Sequence, residues 1–172
     1  RIYTTIDSRM QQYAEEAVNE HMQALQKTFF REKRNKSYAP FSQDLTPEDV
    51  DAIMTRSMRQ TDRYRALKKQ GLNDSDIKQV FNTPVAMRVF SYNGLIDTTM
   101  TPLDSIRWNK HFLRCGFMSM ESHSGAVKAY VGGPNFTHFQ YDMVTTGRRQ
   151  VGSTIKPYLF TLAMDEGMWP CD

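Results

Sequence analysis

VAMRVFSYNGLIDTTM, residues 85–100, decides the fold. VAMRVF and LIDTTM alternate with a period of two on either side of an SYNG turn, the pattern of a β-hairpin. Upstream of Val85 the apolar residues recur at the helical spacing of three and four, and downstream strand and helix patterns are mixed. Helices gathered on one side of the sequence and antiparallel hairpins on the other predict an α+β chain.

Working back from the hairpin, Asn73-Asp74-Ser75-Asp76 opens a short helix that stops before Pro84. Before it, Thr46-Pro47-Glu48-Asp49 supplies a cap, a proline for the first turn and acids beside the helix dipole. Val50, Ile53, Met54, Met58, Tyr64 and Leu67 then predict one amphipathic helix ending near Gly71. Residues 31–45 are polar and loop-like. Met10, Tyr13, Ala14, Ala17, Val18, His21 and Leu25 predict an amphipathic helix of about five turns. RIYTTID, residues 1–7, alternates as a strand would, with Asp7 placed to cap that helix.

Forward from the hairpin, Pro102 to Leu113 reads as a short helix. GFMSMES (116–122), a turn at His123–Gly125 and AVKAYVGG (126–133) form a second hairpin. A long loop covers 132–151, and a last helix begins within RRQVGSTIKPYLF, residues 148–160. Neither internal repeats nor low-complexity segments occur.

The 172 residues suit one domain with a real core, at 40% hydrophobic and 12% aromatic content. The net charge of +3 is mild, and the clusters REKRNK (31–36) and RYRALKK (63–69) have acidic neighbours, so they read as solvated helical faces. No nucleic-acid partner is expected, because aromatics are not interleaved with the basic residues. Cys115 and Cys171 are too far apart for a redox pair and lack zinc-site spacing, and the four histidines show no ligand pattern. No metal and no cofactor is expected. N-x-[ST] triplets at Asn35, Asn73 and Asn135 match a glycosylation pattern too common to decide anything. The chain opens at Arg1 inside a structured pattern, with neither a leader nor an apolar run of membrane-spanning length, and is expected to be a piece of something longer.

Ser153 and Lys156 form an S-x-x-K tetrad. A second copy, Ser75 to Lys78, lies in a polar stretch and reads as a helix cap. Pro157 prevents the last helix from extending far before Ser153, which places the serine at the positive end of the dipole. The spacing of three puts Lys156 on the same face. Tyr158, Leu159, Phe160, Leu162, Ala163 and Met164 are apolar nearly all round, which predicts a buried helix and a partly desolvated lysine. Gly152 allows close backbone approach or a sharp bend. These features suit acyl transfer: a serine nucleophile, an amine as base and a backbone N–H for the oxyanion. The spacing alone favours the other reading, a capped core helix with a snorkelling lysine. Gly147-Arg148-Arg149-Gln150-Val151-Gly152-Ser153-Thr154 nearly spells a phosphate loop, but serine stands where the motif needs lysine.

RQVGSTIKP resembles the active-site serine motif of the penicillin-binding proteins, the transpeptidases that cross-link peptidoglycan. SGAVKAYVGGPNF resembles the hairpin before that motif, QYDMVTTGRRQ the loop into the serine, and MTPLDSIRWNKHFLRCGFM the approach to the hairpin. TTIDSRMQQYAEEAV is similar to the opening of the transpeptidase region in class A members, after their glycosyltransferase domain.

The resemblance implies three units. Residues 1–27 begin the transpeptidase region, residues 28–84 are a helical insertion, and residues 85–172 are the N-terminal part of a β-lactamase-like transpeptidase domain with an incomplete antiparallel sheet. Ser153 is implied as the acylated nucleophile, with its N–H in the oxyanion hole, Lys156 as general base, and Gly152 as a point of close substrate approach. Implied partners are peptidoglycan stem peptides and β-lactams, together with cell-wall synthesis proteins. An open sheet edge invites self-association. The implied location is the extracytoplasmic side of a bacterial envelope, with an N-terminal membrane anchor outside this chain. The family's later S-x-N and K-[ST]-G motifs do not follow Lys156 here. Ser91-Tyr92-Asn93 spells the first in the wrong place, and no K-T-G or K-S-G occurs in the 172 residues. The chain by itself is therefore expected to be inactive. A serine D,D-carboxypeptidase or β-lactamase, and a penicillin-sensing or assembly domain, are the rival readings.

Overall fold

The computed structural model describes residues 1–169. Among them the chain is α+β, with six α-helices and two antiparallel hairpins. The long helix α1 (Ser8–Lys33) comes first, followed by α2 (Pro47–Arg59), α3 (Asp62–Lys69) and α4 (Asp74–Phe81). The first hairpin pairs β1 (Val85–Val89) with β2 (Ile96–Met100), and α5 (Pro102–Lys110) follows. β3 (Phe117–Met120) and β4 (Val127–Val131) make the second hairpin, and α6 (Lys156–Asp165) comes last. The hairpins stay separate two-stranded sheets.

Local chemistry sets the helix ends. The Asp7 carboxylate accepts the N–H groups of Arg9 and Met10 at 3.0 and 3.1 Å and starts α1. Thr46 and Asp49 make a reciprocal capping box on α2. The single helix expected between Thr46 and Gly71 is in fact two. Thr61 leaves the helical conformation and its hydroxyl accepts the N–H of Tyr64, so α3 has a cap of its own.

The strand expected at residues 1–7 does not form. Once Asp7 is committed to capping α1, only its N–H reaches β4, at Lys128 O (2.9 Å), with the Thr5 hydroxyl donating to Val127 O (2.6 Å). The next edge groups of β4 are taken by a side chain. The Gln11 carboxamide donates to Tyr130 O at 2.9 Å and accepts the Tyr130 N–H at 2.7 Å. A helix N-terminus thus covers the β4 edge.

Three apolar clusters hold the chain. Met58, Ile77 and Phe81 pack with Tyr64, Leu67, Leu72 and Ile106, joining α2–α4 to α5. Ala129 and Val131 of β4 pack on Ala14 and Val18 of α1. Between these lies an aromatic cluster of Phe90, Tyr92, Phe112 and Phe139 with Met22. The Phe90 ring meets Phe112 and Phe139 edge-on at 5.1 and 5.0 Å between centroids. Its polar ends are satisfied: the Tyr92 hydroxyl donates to Leu113 O (2.8 Å) and the Trp108 indole N–H to Phe90 O (2.9 Å). Cys115 is a half-buried free thiol, its pKa pushed up by burial, and Cys171 lies outside the described residues. No helix among the described residues is long and apolar enough to cross a membrane.

Candidate active site

The segment that delivers Ser153 leaves β4 through Gly132 and Gly133 and is fastened to it by one carboxylate. Asp142 accepts from the Tyr130 hydroxyl, from the Val144 N–H (2.8 Å), from the Thr145 N–H (3.2 Å) and from the Thr145 hydroxyl (2.8 Å). Those bonds, led by the one from Tyr130, hold its pKa down to about 2. The Met143 N–H donates to Gly132 O at 2.7 Å and the Tyr141 hydroxyl to Thr146 O at 2.8 Å. At Gly147 a Cβ would stand 2.7 Å from Met143 O, so only glycine lets the chain fold back this closely.

Beyond this anchor, Gly152 adopts φ +50°, and a 3₁₀ turn over Gly152–Ile155 leads into α6. Nothing lies within 4 Å of where a Gly152 Cβ would be, so glycine is required here by the bend rather than by close packing. The N–H of Lys156 donates to Ser153 O, which sets the two residues one turn apart where the 3₁₀ turn becomes α-helix. Pro157 occupies the first turn of α6, as its missing N–H requires. Ser153 and Lys156 are both exposed, and neither side chain has a hydrogen-bond or ion-pair partner among the described residues.

The expected burial of this helix is not met. Tyr158 is 73% exposed and Phe160 64%, and α6 has no buried residue. The partial desolvation expected of Lys156 is absent for the same reason. An all-round apolar helix announces that it needs a cover, but not which segment covers it. Among the described residues its main contacts are with the 3₁₀ turn before it.

The other sequence motifs resolve structurally. Ser75 lies inside α4, whose cap is Asn73 through its bond to the Asp76 N–H at 2.9 Å, so the cap expected at Ser75 is two residues earlier. In Ser91-Tyr92-Asn93 the tyrosine is buried, and the Ser91 hydroxyl donates to Gly94 O (2.7 Å) and accepts the Asn93 N–H (3.1 Å), closing the hairpin turn. Asp142, Tyr130 and Gln11 were not flagged by the sequence. The spacing of Asp142 and Thr145 is the ordinary signal of an Asx turn, and only the fold brings Tyr130 to it.

Residues 36–113 match the family model of the penicillin-binding protein middle domain, a stretch that runs from before α2 through α5 and lies on both sides of residue 84. Penicillin-binding protein 1A of Vibrio cholerae is 44% identical over 52 residues, 30% of this chain and 6% of that protein. Penicillin-binding protein 1A of Escherichia coli is 47% identical over 51 residues, again 30% and 6%. Penicillin-binding protein 2D of Bacillus subtilis is 22% identical over 138 residues, 80% of this chain and 19% of that protein. The chain thus spans no more than about a fifth of the length of these relatives. No solved structure matches.

Proposed function

We propose, from the match of residues 36–113 to the penicillin-binding protein middle domain and the likeness to penicillin-binding proteins 1A, that the chain is part of a penicillin-binding protein and that Ser153 is the acylated nucleophile of a peptidoglycan D-Ala-D-Ala transpeptidase, acting in the full-length protein. The observation that carries the reading is the junction itself: a serine and a lysine one turn apart, where a glycine-bent 3₁₀ turn enters an apolar helix. The Ser153 Oγ attacks the carbonyl carbon of the penultimate D-Ala while its proton passes to the neutral amine of Lys156. The peptide bond to the terminal D-Ala breaks, and the leaving nitrogen takes the proton from Lys156. An acceptor amine on a neighbouring stem peptide then attacks the acyl carbon, the bond to Ser153 Oγ breaks, and the amine's proton passes through Lys156 to that oxygen. The Ser153 N–H, at a helix mouth, supplies one oxyanion donor. With a β-lactam the ring C–N bond opens instead and the adduct persists.

The exposure of α6 fits a pair that works only under a covering layer, the rest of a β-lactamase-like domain. Water must leave and the amine must be desolvated before Lys156 serves as base at neutral pH. The class A likeness of the opening segment supports a parent that also carries a glycosyltransferase domain and a membrane anchor, and that acts in cell-wall synthesis on the outer side of the inner membrane.

Treating the full-length protein with a fluorescent penicillin and mapping the labelled peptide tests this. Label on Ser153, lost in Ser153→Ala and slowed by about 100-fold or more in Lys156→Ala, is expected. Label that survives Ser153→Ala overturns the assignment. The 172-residue chain alone is expected to stay unlabelled, because an exposed pair without a facing wall cannot hold substrate in register.

A further inference from the structure

A cavity of about 570 Å³ opens between the end of α5 and the loop that leads to the serine. Lys110 and Arg114 line it from the α5 side, and Arg148 and Arg149 from the loop, with no carboxylate in the lining. None of the four takes part in an ion pair among the described residues, whose paired acids (Asp62, Asp74, Asp97 and Glu121) all lie elsewhere. The Arg114 guanidinium is set over the buried Phe139 ring, 4.7 Å from its centroid, which fixes the plane it presents. Lys110 is half-buried, and burial followed by the charge of Arg114 pushes its pKa below the usual lysine range. Arg114 is lowered by burial as well.

Lys110 and Arg114 are partly desolvated side by side, with Arg148 and Arg149 exposed on the other wall, so an anion seated between the two walls meets positive charge from both. One carboxylate would leave most of this charge unmatched. Two linked phosphates carry roughly two to three negative charges at neutral pH, and their oxygens suit the fork of a guanidinium. The volume lies within the range of small-molecule sites and exceeds what a lone phosphate fills. We propose that this cavity binds a diphosphate group through Lys110, Arg114, Arg148 and Arg149. The ligand is a soluble diphosphate or one borne on a lipid headgroup. Neither Ser153 nor Lys156 lines the cavity, so the site stands or falls independently of the acylation reading.

Calorimetric titration of the full-length protein with inorganic pyrophosphate, at low and high salt, reads the site. Expected is saturable binding that weakens as salt rises, falls at least ~10-fold in Arg148→Gln/Arg149→Gln, and is partly recovered in Arg148→Lys/Arg149→Lys. Both arginines are exposed, so an unchanged melting midpoint separates lost binding from lost fold. Titration of the detergent-solubilised full-length protein with farnesyl diphosphate, compared with pyrophosphate, separates the sources. Farnesyl diphosphate bound at least ~10-fold more tightly, and weakened in the double glutamine variant, assigns a lipid-borne diphosphate, and equal or weaker binding than pyrophosphate assigns a soluble one. No saturable binding of either ligand overturns the proposal. So does binding that the double glutamine variant leaves unchanged.

Discussion

The Tyr130 hydroxyl donates its hydrogen to the Asp142 carboxylate, tying β4 to the loop that runs on to Ser153. A folded-state pKa near 2, against an ordinary 3.8, means that stability from Asp142 is complete above about pH 4 and is lost as pH falls toward and through 2. Asp142→Asn is expected to lower the denaturation midpoint at neutral pH and to remove this part of the acid sensitivity. Tyr130→Phe, which deletes the largest cause of the shift, should shrink the same acid limb. Denaturant titrations between pH 2 and pH 7 check both.

Gln26 is the buried polar residue of the core, 3% exposed, and both ends of its amide are used. It donates to His111 O and accepts the Leu113 N–H, each at 2.9 Å, pinning α1 to the chain leaving α5. Gln26→Leu should cost about 2 kcal/mol, since it leaves a partly buried N–H and a partly buried carbonyl without their partner. Urea unfolding reads the loss.

Phe81, 1% exposed, fills the junction of α2–α4 with α5. Phe81→Ala is expected to cost ~3–5 kcal/mol through lost burial and a residual cavity. Phe136→Ala, at a side chain 78% exposed, should change stability by less than about 0.5 kcal/mol. Thermal melts of the two variants side by side make the comparison.

Gly147→Ala drives a methyl into the Met143 carbonyl, a backbone atom that cannot swing aside. Gly152→Ala meets no neighbour and carries only the torsional penalty of φ +50°, about 1–2 kcal/mol. If the loop positions the serine, both variants of the full-length protein should acylate more slowly with penicillin, Gly147→Ala the more severely. Stopped-flow acylation rates give the order.

Both hairpins, their turns and the caps at Asp7 and Thr46 were legible in the sequence because each depends on residues a few positions apart. The break between α2 and α3 was not, since the apolar spacing runs through Thr61 and only its hydroxyl reveals a second cap. The buried stripe of α1 runs through Ala14, Val18, Met22 and Gln26, while Tyr13 is 65% exposed, because the site of β4, rather than hydrophobicity alone, chose the inward face. Ser153 and Lys156 stood out by their context, with Gly152 before the serine, Pro157 after the lysine and an apolar run beyond. Their anchor at Asp142 did not, for its partner Tyr130 is twelve residues away on a strand.

The sequence by itself determined the elements, the helix caps, the hairpin turns and the one-turn spacing of Ser153 and Lys156, because these rest on short-range sterics and hydrogen bonds. Only the tertiary structure decided that Gln11 covers the β4 edge, that Asp142 moors the serine-bearing loop, and that four cations from two distant segments face one cavity. Such contacts depend on how separate elements dock, and docking is settled by the shapes of the buried faces rather than by any local pattern of residues.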